Sequence, residues 1–517
     1  MKRLFGILAL VTVMFAFGCV GAPEPAPVVA LATVADTTEP LPPPLLAEVE
    51  LRIIHTNDMH ARALENRAEL GYARISTLVK QLKAENPNTL VIDAGDTFHG
   101  LPFANLERGS SIAKLLNAVG YDYMTVGNHD FNYGQARLLE LEKEINFPIL
   151  AANVYKNGKR LFKAYEVKNI GGIRVGVFGL ASPETSYKTD PKGIEGITFT
   201  DPVEEARKVV AELKPQVDMI VLISHIGMDE SSDPTSLKIA SAVEGLDVII
   251  DGHSHTSLET VIAKNKTHTL IAQAGDYGKA LGVVDVVVST DRKVVSKGAR
   301  SLTMENSPGL VADPDVKAIG AAIGAAQAPM LAEKVGTTSV LLLGVRNDVR
   351  TSQTNLGTLV ANSMMDISGA DIALMNGGGI RESIPAGDIL KENIFKVLPF
   401  GNYAQTIEVT GADIKAALEN GVGKLPAPDG RYPHVAGATF SIDVAKPVGS
   451  RVSNIVIKGQ PIDMSRIYIL AAPNFTINGG DEYTMFVGKK LVNEYPSDAE
   501  VFMAYVRKLG VISDSNL

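Results

Sequence analysis

Along the first 260 or so residues, short apolar runs recur, and each stops at a small group of polar residues. The runs fall at 51–54, 90–92, 123–126, 217–223 and 248–250. Runs this short, bounded by Gly, Asp, Asn and His, predict buried strands. Between them Ile75, Leu78, Val79 and Leu82 keep the spacing of an amphipathic helix, and Ser110-Ser111 opens a second helix that Gly120 closes. Strands alternating with helices predict a layered α/β domain. Such sheets carry their binding residues on loops just past the strand ends, where the polar groups fall here.

After about residue 308 the pattern changes. Residues 313–335 are Ala-rich and helical apart from a Pro, as a connector between two domains would be. Beyond it, strands, Gly-rich turns and helices at 413–420 and 498–509 predict a second mixed domain. The expected division is a leader at 1–18, a tether at 19–48, a first domain at 49–308, a connecting helix and hinge at 309–335, and a second domain at 336–517.

Met1-Lys2-Arg3 and the apolar stretch 4–17 have the form of an export signal, too short for a membrane span. The segment ends Ala16-Phe17-Gly18-Cys19 and resembles a bacterial lipoprotein signal, which implies a lipid on Cys19 and a protein anchored in the periplasm or on the cell surface. Cys19 is the one cysteine, so the chain forms no internal disulfide. Residues 20–46 are rich in Pro and Ala and follow no period. They predict a semi-extended tether of roughly 30–80 Å.

At 517 residues, with 45% hydrophobic and 21% charged, the chain is long and apolar enough for two packed cores. A net charge of −9 argues against gripping nucleic acid polymers. Nine histidines are present, seven of them before residue 256. Five polar clusters account for most of these: Asp58-Met59-His60, Gly95-Asp96, Gly127-Asn128-His129-Asp130, Ser224-His225 and Gly252-His253-Ser254-His255. Mixed carboxylate and imidazole donors suit divalent Zn, Mn, Fe or Co. Two aspartates, one asparagine and four histidines are enough for two ions that share a bridging carboxylate, and the neighbouring glycines let the backbone turn sharply.

In this order the clusters resemble the calcineurin-like metallophosphoesterases, specifically the exported 5′-nucleotidase and UDP-sugar hydrolase family. The matching stretches are IHTNDMHA (54–61), DAGDTFHG (93–100), VGNHDFNYG (126–134), ISHIG (223–227), DGHSH (251–255) and QAGDYGKALG (273–282). The resemblance implies a four-layer β-sandwich flanked by helices, a connecting helix and a separate α+β substrate-binding domain. It also implies two metal ions, one held by Asp58, His60 and His255, the other by Asn128, His225 and His253, with Asp96 bridging. His129 becomes the catalytic histidine beside the phosphoryl group. His55 and His99 receive no role.

The second half has its own matching blocks, GVRNDVRTSQTNLG (344–357), MNGGGIRESI (375–384), VLPFGN (397–402) and APNFTINGGDEY (472–483). They resemble the family's nucleotide-binding domain. Arg346, Arg350 and Arg381 offer planar forks for phosphate. Asn376 stands beside glycines that permit close approach, and Phe400 and Phe475 would clamp a base. Asp481 would take ribose hydroxyls and Asn402 the base edge. Metals on one domain and substrate on the other place the site at their interface, and the family's domain rotation makes the connector the natural hinge.

Relatives that cleave nucleoside 5′-monophosphates carry an Asp where this chain has Asn132, the residue that orients the catalytic His. An amide can bond the imidazole but brings no charge to stabilise the imidazolium. The same Asn resembles the 2′,3′-cyclic-nucleotide phosphodiesterase branch, an alternative reading, and a nucleotide-binding lipoprotein with little turnover is a third. The Arg-rich block, NGGGIR and VLPFGN favour the nucleotidase branch, acting in nucleoside salvage.

Overall fold

The computed structural model describes residues 45–189, 191–229, 232–263 and 265–513. The leader, Cys19 and nearly all of the tether lie outside the described residues. Leu45 already belongs to the body, since its N–H donates to the Thr290 carbonyl at 3.0 Å.

Two sheets form the first half. In one, the strands run in the order Val294–Thr303, Ala280–Val288, Val49–Thr56, Thr89–Asp93 and Tyr123–Met124. In the other, they run Ser257–Ile262, Leu270–Ala274, Val248–Ile250, Met219–His225, Ile173–Ala181 and Tyr165–Ile170. Leu51, Ile53, Leu90 and Ile92 of the first sheet share one buried core with Val175, Val177, Val221, Ile223 and Ile250 of the second. The alternate residues of the first sheet, Ile54 and Val91, face helices Gly71–Glu85 and Ser110–Val119. Leu222 and Ile249 of the second face Pro202–Leu213 and Ser236–Ala242. Strands buried on both faces read as unbroken apolar runs, which is why the sequence displays them so clearly. The result is the expected four-layer helix–sheet–sheet–helix sandwich.

The strands that carry the clusters are parallel: Val49–Thr56 to Thr89–Asp93 and then Tyr123–Met124, Ile173–Ala181 to Met219–His225 and then Val248–Ile250. Their carboxyl ends therefore open on the same edge of the sandwich.

Helix Pro314–Leu331, capped by Asp313, lies on the first half. Val316 and Ile323 enter the core beside Leu115 and Ile75, and the Gln327 amide donates to the Phe103 carbonyl at 2.8 Å. The second half follows directly, with a sheet in the order Pro433–Ala436, Ile372–Asn376, Ile467–Pro473, Tyr403–Thr410, Leu491–Ser497. Helices Asn355–Ser368 and Asp498–Leu509 cover one of its faces and Gly411–Gly421 the other.

Candidate functional site

All seven expected ligands meet at the open edge of the sandwich. Oδ1 of Asp58 lies 3.6 Å from Nε2 of His255, which faces Nε2 of His60 at 3.1 Å. Two imidazole nitrogens that close require a cation or a proton between them. Nδ1 of His253 lies 3.0 Å from Oδ1 of Asn128. Oδ2 of Asp96 stands between the two groups, 3.1 Å from Nε2 of His225 and 4.0 Å from Nε2 of His60. Asp58, His60 and His255 thus form one candidate metal group, and Asp96, His225 and His253 another.

The backbone is bent to bring them there. Asp58, His60, Asp96, His253 and His255 all have positive φ, between 43° and 76°, a region costly for any residue but glycine. The glycines beside them allow the loops to touch: a Cβ on Gly127 would sit 2.1 Å from Oδ1 of Asp96. Asp130 ties the same loops together. Its carboxylate accepts from the N–H groups of Asp96, Thr97, Phe98 and Gly127 at 2.8–2.9 Å, which makes it a structural clamp.

The donors fit divalent cations. His225 Nδ1 bonds the Ala94 carbonyl at 2.6 Å, which turns the fully buried Nε2 into the cluster toward Oδ2 of Asp96. Burial alone would lower the His225 pKa, yet Asp96 and Asp58 push it up to about 10. Burial drives Asp58 up to about 6, while Asp96 is held well below the usual range against its burial by the surrounding imidazoles. The cluster is one of anions and lone pairs that calls for positive charge.

His129 lies beside this cluster with Nε2 4.0 Å from Oδ2 of Asp96, and its N–H donates to Oδ1 of Asp96 at 2.7 Å. Burial brings its pKa down to about 3 although Asp96 opposes that. The Asn132 amide lies 3.2 Å from Nδ1 of His129 and 3.2 Å from Nδ1 of His99, and Thr189 Oγ1 donates to its oxygen at 2.6 Å. His55 is buried against Gly282, away from these contacts.

Three features close the site that the apolar runs did not reveal. The Tyr403 ring stacks on His129, centroids 3.7 Å apart, and its hydroxyl lies 3.2 Å from Nδ1 of His60. Glu494 faces His129, and Glu500 bonds His99 at 2.9 Å. A segment running from Glu184 to Thr189 borders Asn128 and His253. The strand Ile173–Ala181 that leads into it ends, like the others, in a polar group, and this was the available signal.

The residues expected to bind the nucleotide lie elsewhere. Burial and the neighbouring Arg346 and Arg381 depress the Arg350 pKa, so the three guanidinium groups share one region, with Asp481 opposing. Asn376 donates to Asp481 at 2.7 Å, and the Arg381 guanidinium lies 5.6 Å from the Phe400 ring centre. Phe400 and Phe475 are 47% and 44% exposed, unusual for aromatic rings in an otherwise packed domain. Asn402 lies at the start of the last long helix, its backbone carbonyl accepting from the Asp498 N–H at 2.7 Å and its side chain hydrogen-bonding the Asp498 carboxyl.

A cavity of about 1010 Å³ opens over the metal cluster, lined by Asp96, Asn128, His129, Lys188, Gln405 and Glu494 among others. Among the described residues, none of the three arginines or two phenylalanines lines it. In this arrangement the residues expected to hold the nucleotide stand outside the cavity over the cluster.

Residues 51–257 match the family described as calcineurin-like phosphoesterase, and residues 334–488 match the 5′-nucleotidase C-terminal domain. Protein UshA of Escherichia coli is 31% identical over 507 residues, covering 89% of this chain and 91% of that protein. A 5′-nucleotidase of Vibrio cholerae is 32% identical over 504 residues, covering 88% and 90%. Among solved structures, a 5′-nucleotidase precursor from Thermus thermophilus is 33% identical with a TM-score of 0.57, covering 90% of this chain and 97% of that one.

Proposed function

This chain belongs to the 5′-nucleotidase family of calcineurin-like phosphoesterases, and from that premise we propose how its residues divide the work. It is a metal-dependent nucleotide hydrolase with two divalent ions. Neither the cyclic-diester reading nor the non-catalytic one is favoured by these relatives. The ions supply charge for the phosphoryl oxygens and an acidified water.

In our reading Asp58, His60 and His255 hold one ion, Asn128, His225 and His253 the other, and Asp96 both. The observation that carries it is the position of Asp96 Oδ2 between the imidazoles of the two groups. His129 directs Nε2 at the phosphoryl group and donates a hydrogen bond as the leaving oxygen departs. Asn132 holds the His129 ring in place. Arg346, Arg350 and Arg381 take phosphate, Phe400 and Phe475 clamp the base, and Asn376 and Asp481 bind the ribose. Because clamp and cluster stand apart here, turnover requires the second half to turn about the segment after Leu331.

The substrates are nucleoside 5′-monophosphates, with di- and triphosphates or UDP-sugars as further candidates. The enzyme works outside the cytoplasm, anchored through Cys19, and releases nucleosides for salvage. The test is phosphate release from AMP, UMP, ADP, ATP, UDP-glucose and 2′,3′-cyclic AMP, with Mn or Zn and with EDTA. Metal-dependent turnover of the monophosphates is the expected outcome. Turnover of the cyclic diester alone would refute it.

A further inference from the structure

Metal-ligating histidines need a partner on the ring nitrogen away from the metal, because that partner fixes the tautomer and the ring plane. His225 has the Ala94 carbonyl. For His253 the partner is a carboxylate: Oε2 of Glu184 lies 2.7 Å from its Nε2. With Nε2 committed to Glu184, Nδ1 is left as a bare lone pair, and it is Nδ1 that faces Asn128.

Glu184 is itself held. Ser182 caps the short turn Pro183–Ser186 by accepting from the Glu184 N–H at 3.1 Å, and Lys188 Nζ meets the same Oε2 at 2.7 Å. The Lys188 N–H donates to the Glu184 carbonyl at 2.8 Å, closing one helical turn. That turn places two further groups. The Lys188 carbonyl accepts from the Asn128 amide nitrogen at 2.6 Å, which aims the Asn128 oxygen, the atom able to bind a cation, at the cluster. Next along the chain, buried Thr189 donates to Asn132 at 2.6 Å and so sets which end of that amide meets His129.

We propose that the segment Glu184–Thr189 is the positioning element of the second metal site, with Glu184 as a positioning residue that fixes the tautomer of His253 and the Lys188 carbonyl fixing the orientation of Asn128. The inference rests on the ligand assignment given above. It singles out one ion: among the described residues, the group made by Asp58, His60 and His255 has no hydrogen bond or ion pair to this segment. It also separates two effects along six residues, with Glu184 acting on metal affinity and Thr189 acting on His129 through Asn132.

The test is metal binding by the full chain, stripped with EDTA and titrated with Mn2+ while the free ion is followed by EPR. Wild type is expected to bind two ions, and Asn128→Ala to weaken one. Glu184→Ala is expected to weaken that same ion roughly 10- to 100-fold and leave the other unchanged. The isosteric Glu184→Gln should weaken it less, with the melting temperature of the stripped protein unchanged. Thr189→Val should bind both ions as wild type does but lower kcat without changing KM. If Asn128→Ala binds both ions normally, the ligand assignment falls and this inference with it. If Asn128→Ala loses affinity while both Glu184 variants bind like wild type, the inference alone falls. Equal weakening of both ions, or a stripped Glu184→Gln protein that melts early, would reduce Glu184 to a general structural role and overturn it as well.

Discussion

Oε1 of Glu494 lies 3.4 Å from Nε2 of His129, so an acidic side chain from the second half of the chain faces the proposed catalytic histidine, where on that reading a phosphoryl oxygen has to come. The Glu494 N–H donates to the Tyr187 carbonyl at 2.8 Å, which fixes the strand that carries it, and burial raises the Glu494 pKa to about 8. Substrate has to displace this group. We expect Glu494→Ala to raise kcat/KM roughly three- to tenfold, the effect of about 1 kcal/mol. Steady-state phosphate release measures it, and a fall in kcat/KM would mean that Glu494 assists the reaction.

Asn132 donates toward Nδ1 of His129, and burial already holds that ring far below its ordinary pKa. A carboxylate in place of the amide would accept the Nδ1 proton and stabilise the imidazolium. We therefore expect Asn132→Asp to move a His129 ionisation upward and to raise kcat near neutral pH by about tenfold, less than the roughly 100-fold or more that a complete general acid contributes. A pH–rate profile with no shift between the two proteins would contradict this.

Phe475 is half exposed and its ring lies against Gly480, where a Cβ would be 2.5 Å away. Removing the ring removes a stacking surface and little core. We expect Phe475→Ala to raise KM for AMP roughly 10- to 100-fold, matching about 1–3 kcal/mol for base stacking, with kcat less affected. An unchanged KM across several nucleotides would remove Phe475 from the clamp.

His434, on the strand Pro433–Ala436, is buried against Gly357 of the helix Asn355–Ser368, with Nε2 donating to the Val349 carbonyl at 2.9 Å. Burial lowers its pKa from 6.5 to about 4. Between those values the unfolded chain binds the extra proton and the folded chain does not, so stability rises with pH across this window. As pH falls from 6.5 toward 4 the loss amounts to roughly 3 kcal/mol at most, and above pH 7 it vanishes. His434→Gln should flatten that part of the curve of melting temperature against pH. A slope equal to that of wild type would show that other groups set it.

The sandwich and its metal cluster were legible because both are written locally. A strand buried on two faces is an apolar run, and its ligands follow within a few residues, as Asp58 follows Thr56 and His253 follows Ile250. The strand Ile173–Ala181 obeys the same rule, but its polar end carries Glu184 and Lys188 rather than a His or Asp ligand, so the motif drew no attention. Tyr403 and Glu494 were invisible for another reason. They act on His129 from hundreds of residues away, and nothing in their own neighbourhoods signals a contact that only the packing of two halves creates. Asp130 shows the reverse case: it sits inside the most recognisable motif and serves the backbone alone.

Five of the seven proposed ligands sit in left-handed backbone, a conformation of roughly 1 kcal/mol or more each that folding has already imposed. Ions arriving from the medium therefore meet a rigid socket and need not organise one. Uptake and release should leave the polypeptide in place, chelation should be reversible, and different divalent ions should exchange at the same seat. The enzyme's working metal then becomes a property of its surroundings as much as of its sequence.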